Sequence, residues 1–260
     1  MLLLSLFLLQ TTSPALSQPL LTLDEVQFNE CLKLAQIDPP SAVTQASEWA
    51  IKGGGHLAKA CHGFALAADF KFDLATPILA EAAKGAEVKF DSRASRFWAQ
   101  AGNAAIAAGQ MDIALEALDK SLVGALLDNA ERAESEIDRA RVLVALNRNN
   151  EAEAALSTAR GLSPENAVAW LLSATLARRV NKLSDALAYI QTSAALAPRD
   201  PAVALEAGNI AIAAGDESTA RKQWGQVIAI APNSRQATSA TTQLAALATK
   251  PTPPEEDQSR

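Results

Sequence analysis

The chain has 260 residues, 49% hydrophobic and 20% charged, with a formal net charge of -6. That is enough apolar material for a core, but no basic field exists to hold nucleic acid or an anionic membrane. Two Cys and two His cannot fill a four-ligand zinc site with anything to spare. Alanine occupies 56 of the 260 positions and aromatics only 5%, which favours closely packed helices over β-sandwiches.

In chain order, Met1 to Leu9 are almost wholly apolar, too few to cross a hydrocarbon layer of roughly 30 Å as a helix. Polar residues, Pro14 and the small-residue run Ala15-Leu16-Ser17 follow. This predicts a secretory signal peptide over 1–17, although no Lys or Arg precedes the apolar run. The rest of the chain has no run long enough to span a membrane. Export places Cys31 and Cys61 in an oxidising compartment, where a disulfide is the expectation and two buried free thiols the alternative. Residues 18–94 read as degenerate helical hairpins. The first is a helix from Asp24 to Gln36, a break at Asp38-Pro39-Pro40, a helix from Ser41 to Lys52 and a stop at Gly53-Gly54-Gly55.

From residue 133 the chain repeats itself. Pro164, Pro198 and Pro232 recur at one interval of 34, as do Ala152, Ala186 and Ala220, and Ala140, Ala174 and Gly208. Leu156, Ile190 and Trp224 supply a large residue at another equivalent position. Each unit reads as two amphipathic helices joined by a tight turn at Gly109-Gln110, Asn147 to Asn150, Asn181-Lys182 or Gly215-Asp216. The proline closes the unit because it cannot continue a helix. One unit alone leaves too much apolar surface exposed, so neighbours must stack.

This pattern resembles the tetratricopeptide repeat. Trp98 and Trp170 stand at signature position 4 and Gly63, Gly102 and Gly208 at position 8. Position 20 is Ala75, Ala114, Ala152, Ala186 and Ala220, and position 32 the three prolines. The resemblance covers about 95–234 and implies an all-α, right-handed superhelix of five to six hairpins. Units starting at 56, 95 and 133 are spaced more widely than the later ones, which calls for longer second helices or looser linkers. A capping helix is expected over 235–249 and a disordered, proline-rich tail over 250–260.

In arrays of this kind, positions 2, 5, 9 and 12 of the first helices line a concave groove. Carried over, these are Arg96, Ala99, Asn103 and Ile106; Glu134, Ile137, Arg141 and Val144; Val168, Leu171, Thr175 and Arg178; and Ala202, Leu205, Asn209 and Ile212. Asn103, Arg141, Thr175, Arg178 and Asn209 are the candidate contacts. Asn can hold an extended peptide backbone and Arg a carboxylate. The family's carboxylate clamp also needs Lys at position 5 and Asn at position 6, which are missing here.

Catalysis finds no support. His56, Cys61 and His62 do not converge on one helix face, and Gly53 to Gly55 lack the Lys-Ser/Thr of a phosphate loop. The expectation is a cofactor-free, non-catalytic periplasmic scaffold, monomeric or weakly self-associating. Its partner is a protein or peptide, not nucleic acid. The competing expectation is a structural, self-associating envelope component.

Overall fold

A computed structural model describes residues 21–124 and 126–249. The expected signal segment and the tail after 249 lie outside them. The described residues form thirteen helices: α1 (Leu23–Ile37), α2 (Pro39–Ile51), α3 (Gly55–Ala68), α4 (Phe72–Val88), α5 (Ala94–Ala107), α6 (Met111–Ser121), α7 (Asn129–Ala145), α8 (Asn149–Leu162), α9 (Ala167–Arg179), α10 (Leu183–Leu196), α11 (Pro201–Ala213), α12 (Glu217–Ile230) and α13 (Arg235–Ala248). Consecutive helices pack antiparallel into six hairpins, and α13 covers the last one. The result is an all-α solenoid.

The turns inside the hairpins follow from one backbone requirement. Gly109, Asn147, Asn181 and Gly215 all have positive φ, from 60° to 85°, the left-handed state that Gly and Asn tolerate best. The next N–H then reaches back to the fifth carbonyl before it, as in Arg148 to Leu143 at 2.8 Å and Asp216 to Ala211 at 2.9 Å. Phe70 holds this position in the second hairpin at φ 59°, a bulky residue where Gly or Asn is usual.

Between hairpins the prolines act through a different device. Ser163, Ala197 and Ala231 each accept a hydrogen bond from the residue three positions on, Asn166, Asp200 and Ser234, at 3.0 to 3.2 Å. Pro164, Pro198 and Pro232 occupy the second place of these turns, where a fixed φ is an advantage. Asn166, Asp200 and Ser234 then cap α9, α11 and α13 through their side chains. The helix stop and the next helix start share one four-residue unit.

The wider spacing of the early repeats is met in two ways. Helix α4 is long, 17 residues, and accommodates Pro77 in its interior. Helix α6 has only 11 residues, so the surplus goes into the segment after it. Helix α7 starts at Asn129, ahead of residue 133, because Asp128 and Glu131 form a capping box there. In the first hairpin, Asp38 ends α1 and caps α2, so the break is one residue, with Pro39 and Pro40 inside the first turn of α2.

Small against large residues set the helix spacing. A methyl on Gly63 would meet the Leu79 side chain at 2.5 Å, and one on Gly102 would meet Leu118 at 2.7 Å. Ala140 with Leu156, and Ala174 with Ile190, are the wider versions of the pair in the buried clusters of the middle repeats. Gly208 lies under the Trp224 indole, which is buried with Ala220, Val227, Ala237 and Ala240.

Candidate functional site

The first helices of neighbouring hairpins present one concave surface. One pocket in it is built by α1, α3, α5 and α7. Phe28, Phe64 and Phe97 meet with ring centroids 6.1 to 6.4 Å apart, and the Arg93 guanidinium lies 5.9 Å from the Phe28 ring centre. These rings floor a pocket with Leu32 and Leu127. Behind the floor, Cys31 and Cys61 are joined as a disulfide with their Cα atoms 6.1 Å apart. It ties α1 to α3, the helices that supply Phe28 and Phe64.

The rim of the pocket is polar. Arg96 forms a two-pronged ion pair with Glu131, one prong at 2.9 Å, and that hydrogen bonding holds the Glu131 carboxyl below its ordinary value. Burial pushes the Asp138 carboxyl up despite its pairing with Arg141. The Asn103 amide faces Asp138, yet its Oδ1 is buried without a hydrogen-bond partner. A buried acceptor left unpaired costs about 1–3 kcal/mol, and an incoming N–H would relieve that.

Further along, Arg141 and Thr175 line a second hollow with Val144, Leu172 and Arg179. Asn103, Arg141 and Thr175 therefore lie on one continuous track, with Asp138 between the first two. The Thr175 hydroxyl donates to the Leu171 carbonyl at 3.0 Å and keeps acceptor capacity for a ligand.

Arg178 and Asn209 are placed differently. Arg178 grips the buried Glu206 with two bonds, 2.6 and 3.2 Å long. Asn209 donates to Glu206 at 3.3 Å and accepts from the Trp224 indole at 3.2 Å. Both side chains are committed to a clasp between α9, α11 and α12. Ile137, carried over as a groove position, is fully buried with Ala133, Ala159 and Ala169. Burying Ile137 at this helix contact removes its side chain from the groove.

His56, Cys61 and His62 go separate ways. Cys61 is in the disulfide, and burial lowers the pKa of His62. His56 meets Asp91 at 2.7 Å, which sequence reasoning missed because the pair is 35 residues apart. Burial alone would raise the Asp91 carboxyl, but hydrogen bonds from the Arg93 side chain and backbone, and from His56, hold it far below its usual value. Arg93 continues to Glu25 at 3.5 Å. The network joins α1, α3 and the start of α5, and at its far end Glu25 also accepts from the Thr22 hydroxyl at 3.0 Å. No group of three or more metal-ligating side chains comes together among the described residues.

The aromatic floor was also missed, although one signal pointed to it. Phe64 stands at position 9 of the second unit, the same place as Asn103, Arg141, Thr175 and Asn209 in later ones.

No protein-family model matches the sequence, and no curated protein sequence does. Solved structures do match in fold. The pilF protein of Pseudomonas aeruginosa is 15% identical with a TM-score of 0.66, over 85% of this chain and 99% of that one. YrrB, described as a TPR protein with an unusual peptide-binding site, is 18% identical with a TM-score of 0.55, over 77% of this chain and 98% of that one. MamA is 17% identical with a TM-score of 0.52, over 71% of this chain and 96% of that one. The fold is that of a tetratricopeptide-repeat protein.

Proposed function

We propose that the chain is a non-catalytic scaffold that binds an extended segment of a protein partner along its concave face, in the periplasm. The observation that carries this reading is the aromatic-floored pocket with the unpartnered Asn103 Oδ1 at its rim. An apolar side chain of the segment fills the pocket over Phe28, Phe64 and Phe97. A backbone N–H of the segment satisfies Asn103, and the chain continues past Arg141 to Thr175. YrrB, a TPR protein with a peptide-binding site, supports the same mode in a similar fold. The Cys31–Cys61 disulfide, buried in the core, suits an oxidising compartment, as does the apolar start of the chain.

The test is in-cell photo-crosslinking from Gln100 at the pocket and Thr175 further along, with Glu153 on the second-helix face as control. One partner adduct shared by Gln100 and Thr175, absent at Glu153 and lost on Phe64→Asp, is the expected result. Equal labelling at all three sites, or self-crosslinks alone, would sink the groove and favour a self-associating envelope component. Location is checked separately, by whether a protease added to spheroplasts digests the protein.

A further inference from the structure

Helix α7 separates the two hollows of the concave face. Glu134 and Asp138 line the aromatic pocket, and Arg141 and Val144 the second hollow. Glu134 and Arg141 are seven residues apart and so share a face of the helix, about 10 Å from each other along its axis. Their electrostatic surroundings are opposite.

At the aromatic pocket the cations are already used. Arg93 is shared by Asp91 and Glu25, and Arg96 is held by both oxygens of Glu131. What remains for a ligand is a set of acceptors. Asn103 Oδ1 is buried and unpaired. Glu134 is exposed and accepts from the neutral Asn166 amide at 2.7 Å, which leaves its charge uncancelled. The carboxylates of Glu131, Glu134 and Asp138 outnumber the two arginines that line this pocket.

The second hollow is the reverse. Arg141 and Arg179 line it with Val144, Leu156, Leu172 and Leu176, and no carboxylate among the described residues does. Arg141 gives Asp138 one hydrogen bond, from Nη1, and keeps the other N–H groups of its fork. Arg179 is exposed; its neighbour Arg178 is the one that turns to Glu206. Two guanidiniums over an apolar base suit a carboxylate.

We propose that the groove selects a segment carrying a basic residue, held by Glu134, and an acidic residue three positions away, held by Arg141 and Arg179. The spacing follows from the chain: an extended segment advances about 3.3 Å per residue, so the separation along α7 is the reach of about three. This rests on the groove reading above and adds the chemistry of the partner to it. The apolar anchor over Phe28, Phe64 and Phe97 supplies burial, and the two charges fix register. They also reject segments of a single sign, since a carboxylate at Glu134 or an ammonium between the arginines meets like charge. The net charge of -6 favours any basic partner; the arginine hollow is what demands the acidic residue.

The test is selection of random dodecapeptides, displayed on phage, against the immobilised full chain, followed by fluorescence anisotropy on the enriched peptides. Enrichment of Lys or Arg three positions from Asp or Glu is expected. Glu134→Arg should weaken such a peptide about fivefold, and exchanging its basic residue for Glu should restore most of that loss. Arg179→Glu should act likewise on the acidic residue, with Lys in its place as the rescue. Both variants alter exposed side chains, so the circular dichroism spectrum should not change. A photoreactive residue replacing Gln100 reports whether a peptide sits in the groove. Peptides that crosslink there but lack the charge pair, or a charge-exchanged peptide that fails to rescue Glu134→Arg, overturn the proposal and leave the groove reading standing. No enrichment, or enriched peptides that do not crosslink at this position, overturns both.

Discussion

Replacing Gly208 by Ala isolates the small-against-large rule on which the helix spacing depends. A methyl at Gly208 would stand 2.5 Å from Cδ1 of Trp224, whose ring is 1% exposed and anchored by its hydrogen bond to Asn209. The ring has nowhere to swing. Overpacking of this kind costs about 1–3 kcal/mol, and the upper part of that range applies to a locked ring. Ala is favoured over Gly inside a helix by about 1 kcal/mol, leaving a net loss of roughly 1–2 kcal/mol. Gly225 in α12 is the control: nothing lies within 4 Å of the Cβ it would gain, so Gly225→Ala should stabilise by up to about 1 kcal/mol. Trp224→Leu recreates the Ala–Leu pairing seen at Ala140 and Leu156. The double variant should therefore be more stable than the sum of the single losses allows, by roughly 1–2 kcal/mol of coupling. Urea unfolding followed by far-UV circular dichroism reads the parent and the four variants. A Gly208→Ala variant as stable as the parent, or a strictly additive cycle, would refute the spacing argument.

Other expectations follow from the charges and the disulfide. Asp138 has its native pKa raised by burial, so its contribution is present below the unfolded value and lost as pH rises through the native one. Asp138→Asn should leave the protein at least as stable at pH 7, with any advantage gone below about pH 4; clear destabilisation at pH 7 contradicts this. Asp91 is the opposite case, held low by Arg93 and His56. Its contribution is present above the unfolded value and lost as pH falls through the native one. Asp91→Asn should cost about 2–3 kcal/mol at pH 7, and its gap from the parent should close in acid, beginning near pH 4; a gap that does not change with pH counts against the network. Reducing Cys31–Cys61, separated by 30 residues, should cost about 3–4 kcal/mol. Hydrogen exchange should place that loss in α1 to α4 and leave α7 to α13 protected; uniform loss of protection would refute it.

The repeats from α7 onward were legible because their constraints are local. A left-handed turn residue, a proline that stops one helix, and a small residue facing a large one each depend on few neighbours and recur at a fixed interval. The same interval also carried the caps at Asn166, Asp200 and Ser234, which the proline series overshadowed. Helix α7 begins ahead of the repeat boundary at 133 because Asp128 and Glu131 form their capping box there. The concave site was harder to read because position in a repeat does not say which neighbours a side chain meets. Asn103, Arg141 and Thr175 share one track, whereas Arg178 and Asn209, at equally regular positions, are drawn aside by the buried Glu206. That single residue alters two assignments, and no spacing rule reveals it.

The same contrast explains why the most distinctive chemistry lies in the least regular part. Helices α7 to α13 obey the repeat closely, so most of their side chains are determined by packing against the next unit. The first three hairpins depart from it: a disulfide joins α1 to α3, a His–Asp–Arg–Glu network substitutes for repeat contacts at one end, and α4 accommodates a proline. Phe28 is buried in the core and, with Phe64 packed against it, also floors the pocket, and Phe90 occupies a turn where Gly would be more stable. The covalent bridge and the charge network add to a core in this half that already buries Trp49, Leu79, Phe97 and Trp98. Loss of the disulfide should therefore weaken groove binding more than any single substitution in α9 to α13 that leaves the Arg178–Glu206–Asn209 clasp intact.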